Sequence, residues 1–192
     1  MPEPIAPLAV VVGCSAGGVQ ALSTLLEGLA ANLPYPVIVV CHTGSEDSEM
    51  LRDVLALKSA VLVQEAQERH APEPGIVYLA PAGYHLLLES DGRFALSVDA
   101  RVCYSRPSID VLFESAVAVH AQQLVGVVLT GANDDGAQGL KAIRNAGGLG
   151  IVQSPREAAA AAMPEAAIRI AGADHILPLA DIAPFLNRLC RP

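Results

Sequence analysis

The chain has 192 residues, 52% of them hydrophobic and 17% charged, with 12 Lys and Arg against 20 Asp and Glu for a net charge of −8. This balance fits one domain over residues 1–192 with a sizeable core, and excludes a disordered chain or a scaffold that depends on disulfides. So few cations leave no basic patch for counterion release, which argues against a nucleic-acid partner.

The first residues, Met-Pro-Glu-Pro, lack the basic region of a secretory signal, so the sequence predicts a cytoplasmic protein. Leu8 to Val12 reads as a strand and runs straight into Gly13-Cys14-Ser15-Ala16-Gly17. That is the G-x-S-x-G pattern of a serine exposed on a strand-to-helix turn. From Gly18 to about Ala31 an apolar stripe of Val19, Leu22, Leu25, Leu26 and Leu29 predicts a helix. Its free N-terminal amides would lie beside Ser15, where they suit an oxyanion or a phosphate. At this point serine catalysis, phosphate binding and a plain tight turn all remain open.

Val37 to Cys41 predicts a second strand, about Glu46 to Leu57 a helix, and Ala60 to Gln64 a third strand. Gly75 to Pro81, Tyr84 to Glu89 and Phe94 to Val98 are three strand-like runs with no helix between them, and Asp91-Gly92 marks a hairpin. This patch is expected to form an antiparallel extension or edge. Alternation resumes with a helix from Ser108 to about Gln122, a strand from Val125 to Thr130, a helix from Ala137 to Ala146 and a strand from Leu149 to Gln153. The alanine-rich stretch from Pro155 to Ala162 is expected to stop at Met163-Pro164, and a strand and helix close the chain after Asp174. The longest apolar runs, such as Val125 to Leu129, fall far short of the roughly 20 residues that span a bilayer, so no membrane insertion is expected. The expected fold class is α/β, a mainly parallel doubly wound sheet with helices on both faces and an antiparallel hairpin extension.

In such a sheet, functional groups gather at the carboxyl ends of the strands. Ser15 ends the first strand, His42 follows the second, and Asp134 and Asp135 follow Val125 to Thr130. Neighbouring strands about 4.8 Å apart would bring Ser15 and His42 together, with a carboxylate behind the imidazole. Each residue alone has a plainer reading: a capping histidine, or an Asn-Asp-Asp-Gly turn. Three at three strand ends favour a Ser, His, Asp triad. The phosphate reading expects an acidic residue where His42 stands, and neither G-x-G-x-x-G nor a Walker lysine is present. His70, His85, His120 and His175 show no metal-ligand spacing, and Cys14, Cys41, Cys103 and Cys190 show no C-x-x-C and read as small, reduced, apolar residues.

Taken together, Val12-Gly-Cys-Ser-Ala-Gly-Gly18, Val39-Val-Cys-His42, Val63 to Ala66, Pro74 to Pro81, Tyr104-Ser-Arg-Pro-Ser-Ile-Asp-Val-Leu-Phe113, Val128-Leu-Thr-Gly131 with Asp135-Gly136, and Ala162-Met-Pro164 with Ala167 cover nearly the whole chain. They resemble the chemotaxis-receptor protein-glutamate methylesterases, the CheB-type catalytic domain. The resemblance implies Ser15 as nucleophile, His42 as base and Asp135, rather than Asp134, as the triad carboxylate. It implies hydrolysis of γ-glutamyl methyl esters on the methylated cytoplasmic domain of a chemoreceptor, with deamidation of receptor glutamines as a companion activity and no metal or organic cofactor.

Within that resemblance the amide of Ala16 is expected to hold the oxyanion. Ala132-Asn133 stands where the family has Met-Gly, which places Ala132 by the oxyanion or substrate. Thr43-Gly44 replaces a more apolar sequence after the histidine. Arg106 is expected either to touch substrate or to organise its loop through a salt bridge, Ser108 to cap a helix with Asp110 in its first turn, and Thr130 to hydrogen-bond within the aspartate loop. The family often carries an N-terminal receiver domain, and this chain starts a few residues before its first strand. That leaves two expectations: a receiver domain that has been removed, or a stand-alone esterase regulated in another way, a separate receiver protein among the candidates. Two rivals share these residues: a non-catalytic module that binds a receptor helix, and a serine esterase with another substrate.

Overall fold

The computed structural model describes residues 7–42 and 48–189. Thr43-Gly44, the start of the helix expected from Glu46, and Cys190 lie outside the described residues. Strand β1 (Ala9–Cys14) is buried along its whole length, as is β2 (Val37–Cys41). Both are runs of valine and small residues with no polar face, which suits strands covered on both sides. β1 pairs in parallel with β2 and, on its other side, with β7 (Leu124–Val128).

Outward from β2 come β4 (Ile76–Leu79) and β3 (Leu62–Glu65), and outward from β7 come β8 (Leu149–Gln153) and β9 (His175–Leu177). The sheet order is β3-β4-β2-β1-β7-β8-β9, parallel throughout. β5 (His85–Leu88) and β6 (Phe94–Ser97) form a separate antiparallel pair.

Alternation along β1 divides the core. Val10, Val12 and Cys14 pack with α1 (Gly18–Gly28), α2 (Ser48–Ala56) and α6 (Leu179–Arg188). Ala9 and Val11 pack on the other face with α3 (Ile109–His120), α4 (Ala137–Asn145), α5 (Ala162–Ala171) and the β5–β6 hairpin. The chain leaves β1 through α1 on one face and leaves β7 through α4 on the other. The loops at these two strand ends therefore part and open a crevice, the usual place for a site in a doubly wound sheet.

Two expectations are corrected. Gly75 to Pro81 does not join an antiparallel patch: it supplies β4, parallel to both β2 and β3 in the sheet interior. The return from β3 is made by an extended loop over residues 66–75 in place of a helix, so the helical signal of a parallel crossover is missing from the sequence. The stretch before Met163-Pro164 is turns, and the helix begins at Ala162. Pro164 lies in its first turn, where no N–H is required, so the proline starts the helix instead of ending it.

Glycines permit the close approach of α3 and α4. A Cβ on Gly139 would lie 2.5 Å from Phe113 Cβ and 3.2 Å from Asp110 Cα. Gly139→Ala is therefore expected to destabilise the protein by about 1–3 kcal/mol, outweighing the gain of about 1 kcal/mol that alanine brings to a helix interior. Urea unfolding measures the difference.

Candidate active site

The β1–β2 register sets Cys14 against Cys41, and the ladder continues as the His42 amide donates to the Cys14 carbonyl at 3.0 Å. Ser15 and His42 thus leave adjacent strands side by side. The Ser15 amide donates to the Thr130 carbonyl at 2.9 Å, which ties the turn to the end of β7 as well. Gly17 caps α1 at a φ of +76°, and a Cβ there would come within 2.6 Å of Ala159 Cβ. Only glycine meets both conditions at this turn. Ser15 is half-buried and Ala16 exposed, and the Ala16 amide donates to none of the described residues.

Thr130 works differently from its expected place in the aspartate loop. Its hydroxyl donates to the Ala16 carbonyl at 2.9 Å and accepts from the Ala160 amide at 2.9 Å. Its own amide donates to Gln153 Oε1 at 2.8 Å. A single buried hydroxyl therefore fixes the Ala16–Gly17 peptide, while the Ser15–Ala16 peptide, which carries the free Ala16 amide, is held by the Gly18 amide donating to the Ser15 carbonyl at 2.7 Å.

The loop after β7 separates the two candidate aspartates: Asp134 is exposed and Asp135 is fully buried. Asp135 Oδ2 lies 2.9 Å from His42 Nε2, although the ring N–H is not aimed squarely at it. Such loose alignment is common before substrate binds. The same carboxylate receives the start of α3. Ser108 Oγ and the Asp110 amide donate to Oδ1, both at 2.9 Å, and the Ile109 amide donates to Oδ2 at 2.7 Å. Burial opposes charge on Asp135, but the His42 ring and the amides of Asp110 and Ile109 outweigh it, and its pKa lies below the ordinary value. The expected cap at Ser108 is present, since its side chain accepts from Val111 N. Its second bond, to Asp135, is one that the sequence did not disclose.

A carboxylate facing Nε2 favours the tautomer protonated there and leaves the Nδ1 lone pair free to accept. Nδ1 lies 3.4 Å from Ser105 Oγ. No hydrogen bond joins Ser15 Oγ to His42 among the described residues. Ser105 was not among the residues read as functional, and nothing in its spacing marks it.

Of the other expected residues, Ala132 is exposed beside Gly131. Arg106 organises its loop, but through main-chain carbonyls instead of an ion pair: Nη1 donates to Val98 O at 2.7 Å and Asp99 O at 3.0 Å. His85 anchors the same loop, its Nε2 3.0 Å from the Ala100 carbonyl and its Nδ1 accepting from the Ser108 amide at 3.1 Å. Cys14 and Cys41 are buried and Cys103 is half-buried, all as free thiols. Cys103, Asp110 and Asp135 bring donor atoms within 4.8 Å of one another. Asp135 already has His42 and three donors around it, so a metal would have to displace bonds that hold the helix start.

The CheB methylesterase family model matches residues 10–186. The chain belongs to the CheB methylesterase family. A relative from Leptospira interrogans (serogroup Icterohaemorrhagiae serovar copenhageni, strain Fiocruz L1-130) is 46% identical over 182 residues, 94% of either chain. The protein-glutamate methylesterase/protein-glutamine glutaminase of Symbiobacterium thermophilum (strain DSM 24528 / JCM 14929 / IAM 14863 / T) is 38% identical over 179 residues, 93% of this chain and 49% of that one. This chain therefore spans about half of that relative and nearly all of the first. The crystal structure of the Thermotoga maritima CheB methylesterase catalytic domain superposes with a TM-score of 0.92 at 30% identity, covering 95% of this chain and 98% of that one.

Asp110 makes the site's surroundings pH-sensitive. Its Oδ1 accepts from the Gly139 amide at 2.7 Å, yet burial, with a further push from Asp135, raises its pKa from 3.8 to about 6. A carboxyl raised in the folded state favours the fold when protonated, and that contribution fades as pH rises through about 6. Asp110→Asn should remove the fade. The variant is expected to gain on the wild type by about 2–3 kcal/mol between pH 4 and pH 8, read from urea midpoints across that range.

Proposed function

We propose that this chain is a serine hydrolase that demethylates glutamyl γ-methyl esters on the cytoplasmic helices of chemoreceptors, with glutamine deamidation as its companion reaction. The observation that carries the reading is the buried Asp135 carboxylate against His42, with the Ser15 turn on the adjacent strand, in a member of the CheB methylesterase family. The Leptospira and Symbiobacterium relatives support the reaction class. In the proposal residues 1–192 act as one catalytic unit in the cytoplasm. Among the described residues no helix is long and apolar enough to cross a membrane.

In the proposed reaction Ser15 Oγ attacks the ester carbonyl carbon as its proton passes to His42 Nδ1. Asp135 steadies the imidazolium from the Nε2 side. The free Ala16 amide, with the amides that open α1, holds the tetrahedral oxyanion. Collapse breaks the carbon–methoxy bond, and His42 returns the proton to the departing oxygen, releasing methanol. Water then attacks the acyl-enzyme by the same route and leaves glutamate and free Ser15. With glutamine as substrate the leaving group is ammonia. Reaching this geometry requires Nδ1 to exchange Ser105 Oγ for Ser15 Oγ. In this reading Arg106 supports the loop that carries Ser105, and Ala132 borders the oxyanion side.

Methanol release from a methyl-esterified receptor cytoplasmic fragment tests the reading. Ser15→Ala and Asp135→Asn should each lower the rate by roughly 10⁴ to 10⁶, and Asp134→Asn should stay near wild type. A wild-type protein that binds the fragment without releasing methanol would favour the binding-module alternative.

A further inference from the structure

Val102 to Ser105 forms a two-residue hairpin beside the site. Val102 and Ser105 exchange both main-chain hydrogen bonds, at 3.1 and 2.8 Å. The two central residues, Cys103 and Tyr104, have φ of +48° and +64°. Turns of this kind favour Asn-Gly because both positions need left-handed backbone. Here a thiol and a large aromatic fill them, against local preference. Strain of this sort persists where the surrounding structure enforces it, and it concentrates at functional sites.

The three side chains of the turn take separate directions. Cys103 reaches inward to within 4.8 Å of the Asp110 and Asp135 carboxylates. Ser105 faces His42. Tyr104 is 94% exposed and so gains almost no burial in return for its strained backbone. The mount is firm on both sides. Arg101 Nη1 approaches the Tyr104 carbonyl at 3.4 Å, Arg106 holds the carbonyls of Val98 and Asp99, and His85 holds Ala100 and Ser108. A fully presented tyrosine on a turn held through its main chain, one residue from the group that touches His42, is placed to meet something large entering the site. Tyrosine suits that task because its ring offers apolar area at low entropy cost and its hydroxyl tolerates water.

We propose that Tyr104 is a specificity-determining contact, packing its ring against the receptor helix that carries the reacting glutamyl ester. The inference rests on the receptor-methylesterase reading above and adds the residue that distinguishes a helix from a small ester. Tyr104 lies outside the bond-breaking machinery, so its role belongs in KM for the protein substrate.

The test compares methanol release from the methyl-esterified receptor fragment with release from N-acetylglutamate γ-methyl ester amide, which carries the reacting group alone. Tyr104→Ala is expected to raise KM for the fragment about tenfold, leave kcat within twofold, and leave the small ester unaffected. Tyr104→Phe should behave as wild type. Tyr104→Gly separates recognition from structure, because it relieves the backbone and should raise the unfolding midpoint while still losing fragment affinity. The proposal is overturned if the Ala and Gly variants turn over the fragment within twofold of wild type, or if both substrates suffer equally. A wild type that hydrolyses the small ester and ignores the fragment overturns the receptor reading itself, and this contact with it.

Discussion

The Asp135 carboxylate has no exposed surface, and a buried charge of that kind persists only when its oxygens are matched. The match is made by the first residues of α3, whose hydroxyl and amides close on both oxygens, and by His42. Free amides at a helix start carry partial positive charge, so the carboxylate gains from the whole turn as well as from individual bonds. The arrangement is reciprocal. Asp135 stands just before α4 and receives α3, whereas Asp110 stands in the first turn of α3 and accepts the Gly139 amide of α4. Each helix start is therefore satisfied by a side chain from the other, and the two cannot separate without exposing unpaired groups on both. Gly13 and Gly136 serve the same closure, since a Cβ at either would fall within 2.7 Å of Ile109 Cγ2.

The site's asymmetry follows from that clamp. His42 is set by β2 and by a carboxylate that cannot move. Ser15 is set by β1 and by Thr130, which reaches across from the end of β7 to the Ala16 carbonyl. In the proposed reaction the base and nucleophile thus have separate mounts on adjacent strands. What remains adjustable is the imidazole itself, with Ser105 on one nitrogen and an imperfectly aligned carboxylate on the other. The 102–105 turn is consequently the part of the site best placed to register an arriving substrate.

Much of this was legible because strands buried on both faces write themselves as valine-rich runs, and because Ser15 and His42 sit where such runs stop. The parallel role of Gly75 to Pro81 was not legible, since the connection from β3 over residues 66–75 carries no helix to announce a parallel crossover. Its pairing is decided by partners distant in sequence. The alanine-rich stretch misled through propensity. The main chain of Ala160 bonds to the Thr130 hydroxyl and the Gly131 amide instead of to its own next turn, so tertiary bonds displaced a helix that composition favours. Ser108 announced a helix cap, but a cap signal is local and carries no information about a carboxylate 27 positions away. Which aspartate meets His42 was beyond spacing alone, and burial separates them.

In the proposed reaction this framework activates Ser15, even though His42 Nδ1 rests against Ser105. Covalent labelling with a methyl alkylfluorophosphonate, mapped by peptide mass spectrometry, addresses it directly because only an activated hydroxyl displaces fluoride at a useful rate. One adduct is expected, on Ser15, absent in His42→Ala. An adduct on Ser105, or none on a protein that still releases methanol, would contradict it.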